Sequence, residues 1–520
     1  MPEYLAPGVY IEEVPGLRPI EGVGTSTAGL VGQTERGPRA VKLTTSLIEF
    51  ERWYGGLTDT AESYLPWAAQ GFFDNGGQRA FVARVTRDNA AEAALAVDAL
   101  AIEAIGPGAW GNRVFVKVQA ANQRGFRLTV IYYERDELVP APFVDPFDPT
   151  VPVSQRPEPT VTEDYDNLGA DPLGPNYVLT TINSASHLIQ VDWVAGQAPA
   201  EPAPAPFAPL AGGDEGDPAP TRDNYLGGID ETTGLRALGR IDEVALLCVP
   251  DEVMGGPLAQ VTEDVLEQCE RLKDRFAVLQ FPLGQADAQA IVNPRTSLYG
   301  ATYWPWIRVF DPRTPGETLL VPPGGHVLGI YARTDITRGV HKAPANEEVR
   351  GIVTRDLPGP GNRGPLEFRV TKGMQDILNP RNVNVIRDFR ADRRGIRVWG
   401  ARTMADDPQW KYVNVRRLFI FLEESIEEGT QFVVFEPNYE ATWAIVRRSI
   451  TSFLTRVWRD GALAGTTPEE AFFVRCDRTT MTQDDLDNGR LICLVGVAPV
   501  KPAEFVIFRF SQKTLEAQAA

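Results

Sequence analysis

The stretch that decides the fold begins with Val244-Ala245-Leu246-Leu247-Cys248-Val249 and ends with Ala277-Val278-Leu279-Gln280-Phe281. Between these two apolar runs, hydrophobic residues recur at the spacing of one helical face: Val265, Cys269, Leu272 and Phe276. A buried strand, an amphipathic helix and a second buried strand are typical of a right-handed crossover between parallel strands. The sequence therefore predicts an α/β domain built on a parallel sheet.

The charge and composition of the chain limit the classes of partner that it can bind. The chain has 520 residues, with 51 Lys and Arg against 69 Asp and Glu, and a formal net charge of −18. This length predicts several domains, and the acidic balance argues against general binding to nucleic acid or anionic membranes. No run reaches the roughly 18 apolar residues of a membrane-spanning helix. The first residues also lack the basic and apolar regions of a secretory signal. We expect no nucleic-acid partner and no direct membrane insertion.

A different kind of sequence interrupts the α/β pattern. From about Ala101 to Val194 the pattern is β-like, as in Arg113-Val114-Phe115-Val116-Lys117-Val118. Two stretches, Pro140–Pro159 and Pro199–Pro220, are rich in proline and are typical of extended loops or linkers. We expect a β-rich outer domain, inserted in the α/β domain on flexible proline-rich stems.

Both ends of the chain carry a short apolar strand that proline and glycine separate from the body. These strands contain Val9, Tyr10 and Ile11 at the start, and Phe505, Val506, Ile507 and Phe508 at the end. Proline lacks the donor that a sheet ladder needs, and an isolated apolar strand must add to a sheet edge. The predicted acceptor strands are two apolar segments, containing Phe472, Phe473 and Val474 in one and Leu491, Ile492, Leu494 and Val495 in the other. Two terminal strands indicate a protein that pairs with copies of itself.

A basic amphipathic helix is predicted from Tyr439 to Asp460, with Asn438 as its N-cap. One apolar stripe comprises Trp443, Val446, Ile450, Phe453 and Val457. The polar face and its flanks carry Arg447, Arg448, Arg456 and Arg459. Such a face is either simply solvated or a docking surface for an acidic partner, and the pattern leaves both interpretations open.

Catalytic and cofactor motifs are not apparent in the sequence. The three histidines, His187, His326 and His341, lie outside metal-ligand motifs, and the four cysteines lack zinc-ligand spacing. The arginine-dense stretch from Arg381 to Arg417 is interleaved with aspartates, which favours ion pairing over nucleic-acid binding. We expect a protein that is not an enzyme and has no catalytic residue, cofactor or metal.

Several motifs, in order, resemble the contractile tail sheath proteins of bacteriophages and related contractile injection systems. The resemblance covers nearly the whole chain. Its motifs are 6–13 (APGVYIEE), 71–77 (GFFDNGG), 107–112 (PGAWGN), 334–340 (TDITRGV), 342–346 (KAPAN), 398–403 (VWGART), 412–418 (YVNVRRL), 435–438 (FEPN) and 497–505 (VAPVKPAEF).

The resemblance implies an α/β and α+β multidomain protein whose middle domain is similar to the subtilisin fold without its catalytic residues. The implied organisation is an N-terminal strand-donating arm (1–22), an α/β domain (23–95 plus 225–365), the β-rich insertion (96–224), a C-terminal inner sheath domain (366–500) and a C-terminal strand-donating arm (501–520).

The resemblance also implies a function: hexameric rings stacked around an inner tube, which contract and drive the tube through a target envelope. Implied partners are copies of the chain, the inner tube protein, baseplate proteins, and terminator or cap proteins, with sheath paralogues as a further candidate. Because a sheath must grip and then release its tube, the four arginines of the predicted helix become the expected tube contact.

Assembly is expected in the bacterial cytoplasm, and the mature protein in a phage tail or in a cytoplasmic or released injection particle. Two alternatives from other classes stay open: a secreted or surface hydrolase with a subtilisin-like domain, and a carbohydrate-binding surface protein.

Overall fold

The chain forms two compact units in the computed structural model, which describes residues 19–357 and 364–509. The α/β unit comprises residues 24–337 and 344–413. The C-terminal unit comprises residues 338–343 and 414–509 together with residues 19–23. Each unit is described separately.

The α/β unit begins with a buried strand and two helices. Its second helix has a proline in the first turn, where no intrahelical donor is needed. It ends at Asn75-Gly76, and Gly76 has a φ of 99° that favours glycine. The elements are β1 (Ala28–Gly32), β2 (Lys42–Thr44), α1 (Leu47–Tyr54), α2 (Leu65–Asp74) and β3 (Ala80–Arg84).

The β-rich insertion follows and is built from two antiparallel sheets around a hydrophobic cluster. Its elements are β4 (Ala94–Val97), β5 (Leu100–Ala104), β6 (Val114–Ala120), β7 (Phe126–Tyr132), β8 (Val161–Leu168), α3 (Val178–Ala185), β9 (Ile189–Trp193) and β10 (Ala205–Pro209). One sheet has the order β4-β5-β9 and the other β10-β6-β7-β8. Buried Trp110, Leu128 and Ile182 belong to the cluster.

The prediction of flexible proline-rich stems was wrong. The first stretch is not a stem, and the second contains an edge strand followed by a stem that is paired, not flexible. Residues 140–159 connect β7 to β8 inside the insertion, and residues 205–209 form β10, which pairs with β6 at the sheet edge. An edge strand tolerates proline because one side of it needs no donor. The actual stems pair with each other: the amide of Ala91 donates to Asp214 at 3.0 Å, and that of Asp214 to Ala91 at 3.1 Å.

The chain then returns to the central sheet. The remaining elements of the α/β unit are α4 (Arg222–Leu226), α5 (Gly234–Leu238), β11 (Leu246–Cys248), α6 (Val261–Leu272), β12 (Phe276–Gln280), β13 (Gly300–Trp304), β14 (Ile307–Phe310), β15 (Thr318–Val321), α7 (Gly324–Arg338), β16 (Glu347–Glu348), α8 (Lys372–Leu378), β17 (Val383–Asp388) and β18 (Ile396–Val398).

The central sheet has nine strands in the order β16-β18-β17-β13-β12-β11-β1-β3-β2. The six strands from β17 to β3 are parallel neighbours, as the strand–helix–strand pattern predicted. Because β17 and β18 belong to this sheet, the boundary expected at residue 365 lies inside the α/β unit. That unit ends at Val413 instead.

The C-terminal unit packs two long helices against a small sheet. Its elements are α9 (Val413–Thr430), α10 (Glu440–Arg459), α11 (Pro468–Ala471), β19 (Phe472–Arg475), α12 (Gln483–Asp487) and β20 (Leu494–Val497). Buried Leu418 of α9, Ile450 of α10 and Phe472 of β19 belong to one hydrophobic cluster, which also contains Ile20.

Two buried carboxyl groups follow β11. Asp251 accepts hydrogen bonds from the Ser63 hydroxyl at 2.8 Å and the Tyr225 hydroxyl at 2.7 Å. Glu252 accepts from the backbone and side chain of Gln280 at 3.0 and 2.7 Å. Burial raises the pKa of Asp251 to about 6 and that of Glu252 to about 7. Both groups therefore favour folding when neutral, and this contribution is lost as the pH rises through these values.

We predict that Asp251→Asn makes the protein more stable by about 3 kcal/mol at pH 8 and by about half of that at pH 5, where the carboxyl is already ionised in the unfolded chain but not in the folded one. The amide is neutral at every pH, and its NH2 group can donate to the two hydroxyls. Urea unfolding at pH 5 and pH 8 measures this. The matched control is Asp311→Asn, because hydrogen bonds from Arg313 lower the pKa of Asp311 and its loss should destabilise at pH 8. Destabilisation by Asp251→Asn at pH 8 would contradict the prediction.

The paired stems give a second prediction, that the insertion can be excised without unfolding the rest of the α/β unit. Ala91 and Asp214 form a hydrogen-bonded antiparallel pair, so a two-residue Asn-Gly turn can replace residues 92–213. The Tm should fall by a few degrees, because the tilted ring contact of Trp53 with His187 and the hydrogen bond from Arg84 to the carbonyl of Pro107 are lost. Circular dichroism and thermal melting measure this. A variant with no cooperative transition would show that the insertion and the sheet fold as one core.

Candidate assembly surfaces of the C-terminal unit

The two predicted acceptor segments pair with each other. Strands β19 and β20 form an antiparallel two-stranded sheet in which Phe472 lies opposite Val497, and Arg475 opposite Leu494. Phe472 is buried against the helices, whereas Phe473 and Leu494 are half exposed on the other face. The ring of Phe473 covers the backbone at Gly496, where a Cβ would collide with it.

Each strand of this sheet has a strand neighbour on one side only among the described residues. A two-stranded sheet is marginally stable, and its unpaired amide and carbonyl groups are a template for another strand. The sheet can therefore accept one further strand at each edge.

Two of the predicted acceptor residues, Leu491 and Ile492, lie before β20 and not in it. The strand begins at Leu494, after a turn in which Gly489 has a φ of 70°. The carbonyl of Ile492 accepts a hydrogen bond from the Thr480 hydroxyl at 2.8 Å, and both residues pack against the hydrophobic cluster. The expectation that these two residues lie in the strand was therefore wrong.

The C-terminal segment leaves the unit beside this sheet. The Val500 amide donates to the carbonyl of Ala462 at 3.2 Å, and the Val500 carbonyl accepts from the side chain of Asn414 at 3.2 Å. Residues 501–509 then form neither helix nor strand. Phe505, Val506, Ile507 and Phe508 are 69, 68, 77 and 77 % exposed. Four consecutive exposed apolar side chains are costly in water, and their strand pairing stays a prediction.

The N-terminal donor residues Val9, Tyr10 and Ile11 lie outside the described residues. The described chain enters at Ile20, which is buried in the cluster of the C-terminal unit. Its carbonyl accepts a hydrogen bond from the Arg456 guanidinium. The first described residues and the C-terminal segment are therefore both attached to this unit.

Helix α10 has the predicted apolar stripe, since Trp443, Val446, Ile450, Phe453 and Val457 are all buried. The predicted N-cap was wrong: Tyr439 occupies that position, without a side-chain cap. Asn438 instead accepts from the Trp443 indole at 2.7 Å and donates to the carbonyl of Arg490 at 3.1 Å. The amide that could cap the helix is thus used to fix the loop before it.

The four candidate arginines of α10 are all exposed, but they differ in their surroundings. Arg456 is engaged with Ile20, and Arg447 lies close enough to Cys476 and Asp477 to lower the pKa of both groups. Arg448 and Arg459 form no ion pair with any described residue. From Ala441 to Arg459 the helix contains no acidic residue, so its exposed face is positive.

Phe435 is a candidate surface residue to which the sequence assigned no role. It lies between α9 and α10, its side chain is fully exposed, and its φ of 68° is unusual for a bulky residue. An aromatic residue directly before Glu436-Pro437, in a turn that exposes it, is the signal that could have found it.

Arginines of the arginine-dense stretch contact acidic and aromatic residues of the same chain. Arg390 pairs with Asp388 at 2.7 Å and with Asp356 at 2.8 Å, and the Arg394 guanidinium lies over the Phe389 ring. These contacts agree with the ion-pairing interpretation.

Within 19–357 and 364–509, no three His, Cys, Asp or Glu side chains are grouped as metal ligands. His326 is buried in α7, and burial lowers its pKa to about 3. Across the described helices, none is long and apolar enough to cross a membrane.

Two family models match consecutive parts of the chain. The phage tail sheath protein central domain matches residues 226–404, and the phage tail sheath C-terminal domain matches residues 405–513. Together they cover more than half of the 520 residues. The chain belongs to the phage tail sheath protein family.

Curated relatives agree with this membership. A protein described as a prophage major tail sheath protein of Pseudomonas aeruginosa is 26 % identical over 209 residues, which are 39 % of this chain and 49 % of the relative. The tail sheath protein of Vibrio phage KVP40 is 24 % identical over 204 residues, which are 38 % of this chain and 28 % of the relative. The matched part thus spans half or less of the length of these relatives.

Solved structures share the fold over a larger part of the chain. The sheath complex of an extracellular contractile injection system (PVC) in the contracted state has a TM-score of 0.56 at 22 % identity, and the match covers 100 % of both chains. At this identity the likeness concerns the mixed α/β multidomain fold.

Proposed function

We propose that this sheath-family chain is the structural subunit of a contractile sheath, which stacks as hexameric rings around an inner tube. The observation that carries the proposal is the open two-stranded sheet next to an apolar terminal segment. Such a sheet lacks strands, and such a segment lacks a sheet. Exchange of strands between neighbouring copies would give the sheet its missing strand and the segment a sheet to join.

The energy of such an exchange is large for a surface contact. A donated strand of about five residues makes about five ladder hydrogen bonds, each contributing roughly 0.5–1.5 kcal/mol net. Burial of side chains such as Phe505 and Ile507 adds roughly 1.5–3 kcal/mol each. Val9 and Ile11 would contribute in the same way at the other end. These links would hold neighbours together while the units rearrange.

Contraction then needs no nucleotide and no catalysis. An extended arrangement that is metastable would switch to a contracted one that buries more surface, and small differences per subunit add over many rings. The six parallel strands would supply a rigid body for this movement. We infer that this unit is subtilisin-like in fold and without a catalytic role.

The proposed partners are copies of the chain, an inner tube protein, baseplate proteins, and terminator or cap proteins. Sheath paralogues are a further candidate. Assembly would take place in the bacterial cytoplasm, before a phage tail or an injection particle is completed.

We predict that removal of either terminal segment prevents polymerisation without unfolding the chain. Deletion of residues 1–14, or of residues 505–520, should give a folded protein that forms no tubes. The double variant Val506→Pro/Ile507→Pro should do the same, since proline removes one donor from each side of the strand. Electron microscopy and sedimentation velocity measure the assembly.

The matched control is Val506→Ile/Ile507→Val, which keeps apolar, β-branched side chains and all donors. It should polymerise as the parent does. Long tubes from either truncated protein would show that strand donation is the wrong mechanism.

We further propose that α10 contacts the tube through its positive face. A contact that must hold before contraction and release during it is better served by screened charges than by apolar burial. Arg448 and Arg459 are the main candidates, since both are exposed and neither has an ion-pair partner among the described residues. Arg447 and Arg456 would act beside them, although part of their interaction is within the chain.

We predict that Arg448→Glu/Arg459→Glu weakens assembly on tubes at least several-fold near 0.1 M salt, where the Debye length is about 10 Å. The Tm should fall by a few degrees at most, because neither side chain has an ion-pair partner among the described residues and only Arg459 lies in the last turn of the helix, where a negative charge is unfavourable. Pelleting with purified tubes measures the effect.

Two controls accompany this variant. Arg448→Lys/Arg459→Lys keeps the charge, and Arg124→Glu/Arg135→Glu changes the net charge equally on the insertion. Both controls should assemble on tubes normally. Equal loss from the second control would indicate a general charge effect, and normal assembly of the α10 variant would contradict the tube contact.

A further inference from the structure

Two of the four cysteines face each other across the acceptor sheet. Arg475 and Leu494 are the last paired residues of β19 and β20, so continuing the register by one position places Cys476 opposite Cys493. In this register the two side chains lie on the same face of the sheet as Phe472 and Val497, which packs on the hydrophobic cluster. Cys476 is buried in the hydrophobic cluster, and Cys493 is half-buried against it.

The register of the ladder suits a covalent bond at this position. The Ala498 amide donates to the carbonyl of Ala471 at 2.8 Å, which marks that pair as a hydrogen-bonded one. Such pairs alternate along an antiparallel ladder, so the Cys476–Cys493 position is of the other, closer kind. There the Cα atoms approach to about 4.5 Å, within the range of about 4.4–6.8 Å that disulfides span.

We propose that Cys476 and Cys493 form a disulfide that staples β19 to β20 when the protein meets an oxidising medium. The oxidant is a low-molecular-weight disulfide of the glutathione class. The Cys493 sulfur, as its thiolate, attacks this disulfide and releases one small thiol. The Cys476 sulfur then attacks the mixed disulfide and releases the second. Two protons leave the protein thiols, and the oxidant takes the two electrons.

The two cysteines differ in exposure, and we therefore expect them to act at different steps of disulfide formation. Cys493 is the more exposed and is the point of entry, whereas Cys476 resolves the mixed disulfide from inside the cluster. Burial raises the pKa of both thiols, which lowers their reactivity, and a reducing cytoplasm would keep the pair reduced. The Arg447 guanidinium acts in the opposite direction and stabilises both thiolates.

The staple lies at one end of the sheet and closes the loop from Asp477 to Ile492. It leaves the outer edges of β19 and β20 open, so it stiffens the acceptor without blocking a donated strand. The disulfide itself does not depend on the proposed sheath function.

The test uses the purified full chain, incubated with oxidised glutathione at pH 8 or with a reductant. We expect an intact mass lower by two hydrogens, peptides linked through Cys476 and Cys493, and a Tm for the C-terminal unit higher by roughly 5–10 °C. Cys476→Ser and Cys493→Ser should each abolish the rise. The matched control Cys248→Ala/Cys269→Ala should still form the bond.

A second variant distinguishes an effect on the rate of disulfide formation from an effect on the stability of the reduced protein. Arg447→Gln should slow disulfide formation several-fold and leave the Tm of the reduced protein nearly unchanged. Four free thiols after prolonged oxidation, a glutathione adduct that remains on Cys493, or a link through Cys248 or Cys269 would overturn the proposal.

Discussion

An incomplete sheet is the constraint on which the account of this protein depends. Strands β19 and β20 have only each other as strand neighbours among the described residues, and their inner face is fixed on α10 by Phe472 and the hydrophobic cluster. A sheet can gain a strand only at its edges, because its ladder hydrogen bonds lie in the plane of the sheet. The nearby terminal segment has apolar side chains and no partner strand in the part of the chain that the structure describes. We propose that strand exchange between copies would pair the open edges of this sheet with such a segment.

The α/β unit has the opposite character. Its nine-stranded sheet ends in the short antiparallel strands β16 and β2, and its core buries even carboxyl groups such as Asp251 and Glu252. The insertion is attached through paired stems, not through flexible linkers. These features make the unit a rigid body. The flexibility that a contractile assembly needs would then lie in the connections between subunits.

The sequence predicted those parts of the fold in which one pattern dominates. The runs at Val244 and Ala277 became β11 and β12, because long apolar segments can only be buried, and the stripe of α10 was equally clear. Where two patterns compete, the prediction failed. Strand β17 belongs to the central sheet although it lies in the arginine-dense stretch, and β10 contains proline because it is an edge strand. Asn438 looked like a cap, but its side-chain oxygen instead accepts a hydrogen bond from the indole N–H of Trp443.

In the candidate surfaces, too, local features could be predicted from the sequence and features that depend on distant residues could not. Strands β19 and β20 could be located from the sequence, because their apolar pattern is local. Their mutual pairing, the fully exposed Phe435 and the facing cysteines could not, since each depends on residues that are distant in the chain.

The central claim is that the edges of β19 and β20 receive strands from other copies. Hydrogen–deuterium exchange of the free chain and of the assembled polymer tests it most directly. The account predicts that backbone amides at Val474, Val495 and Val497, together with those of residues 505–508, exchange quickly in the free chain and become strongly protected on assembly. A polymer in which these amides exchange as fast as in the free chain would contradict the account.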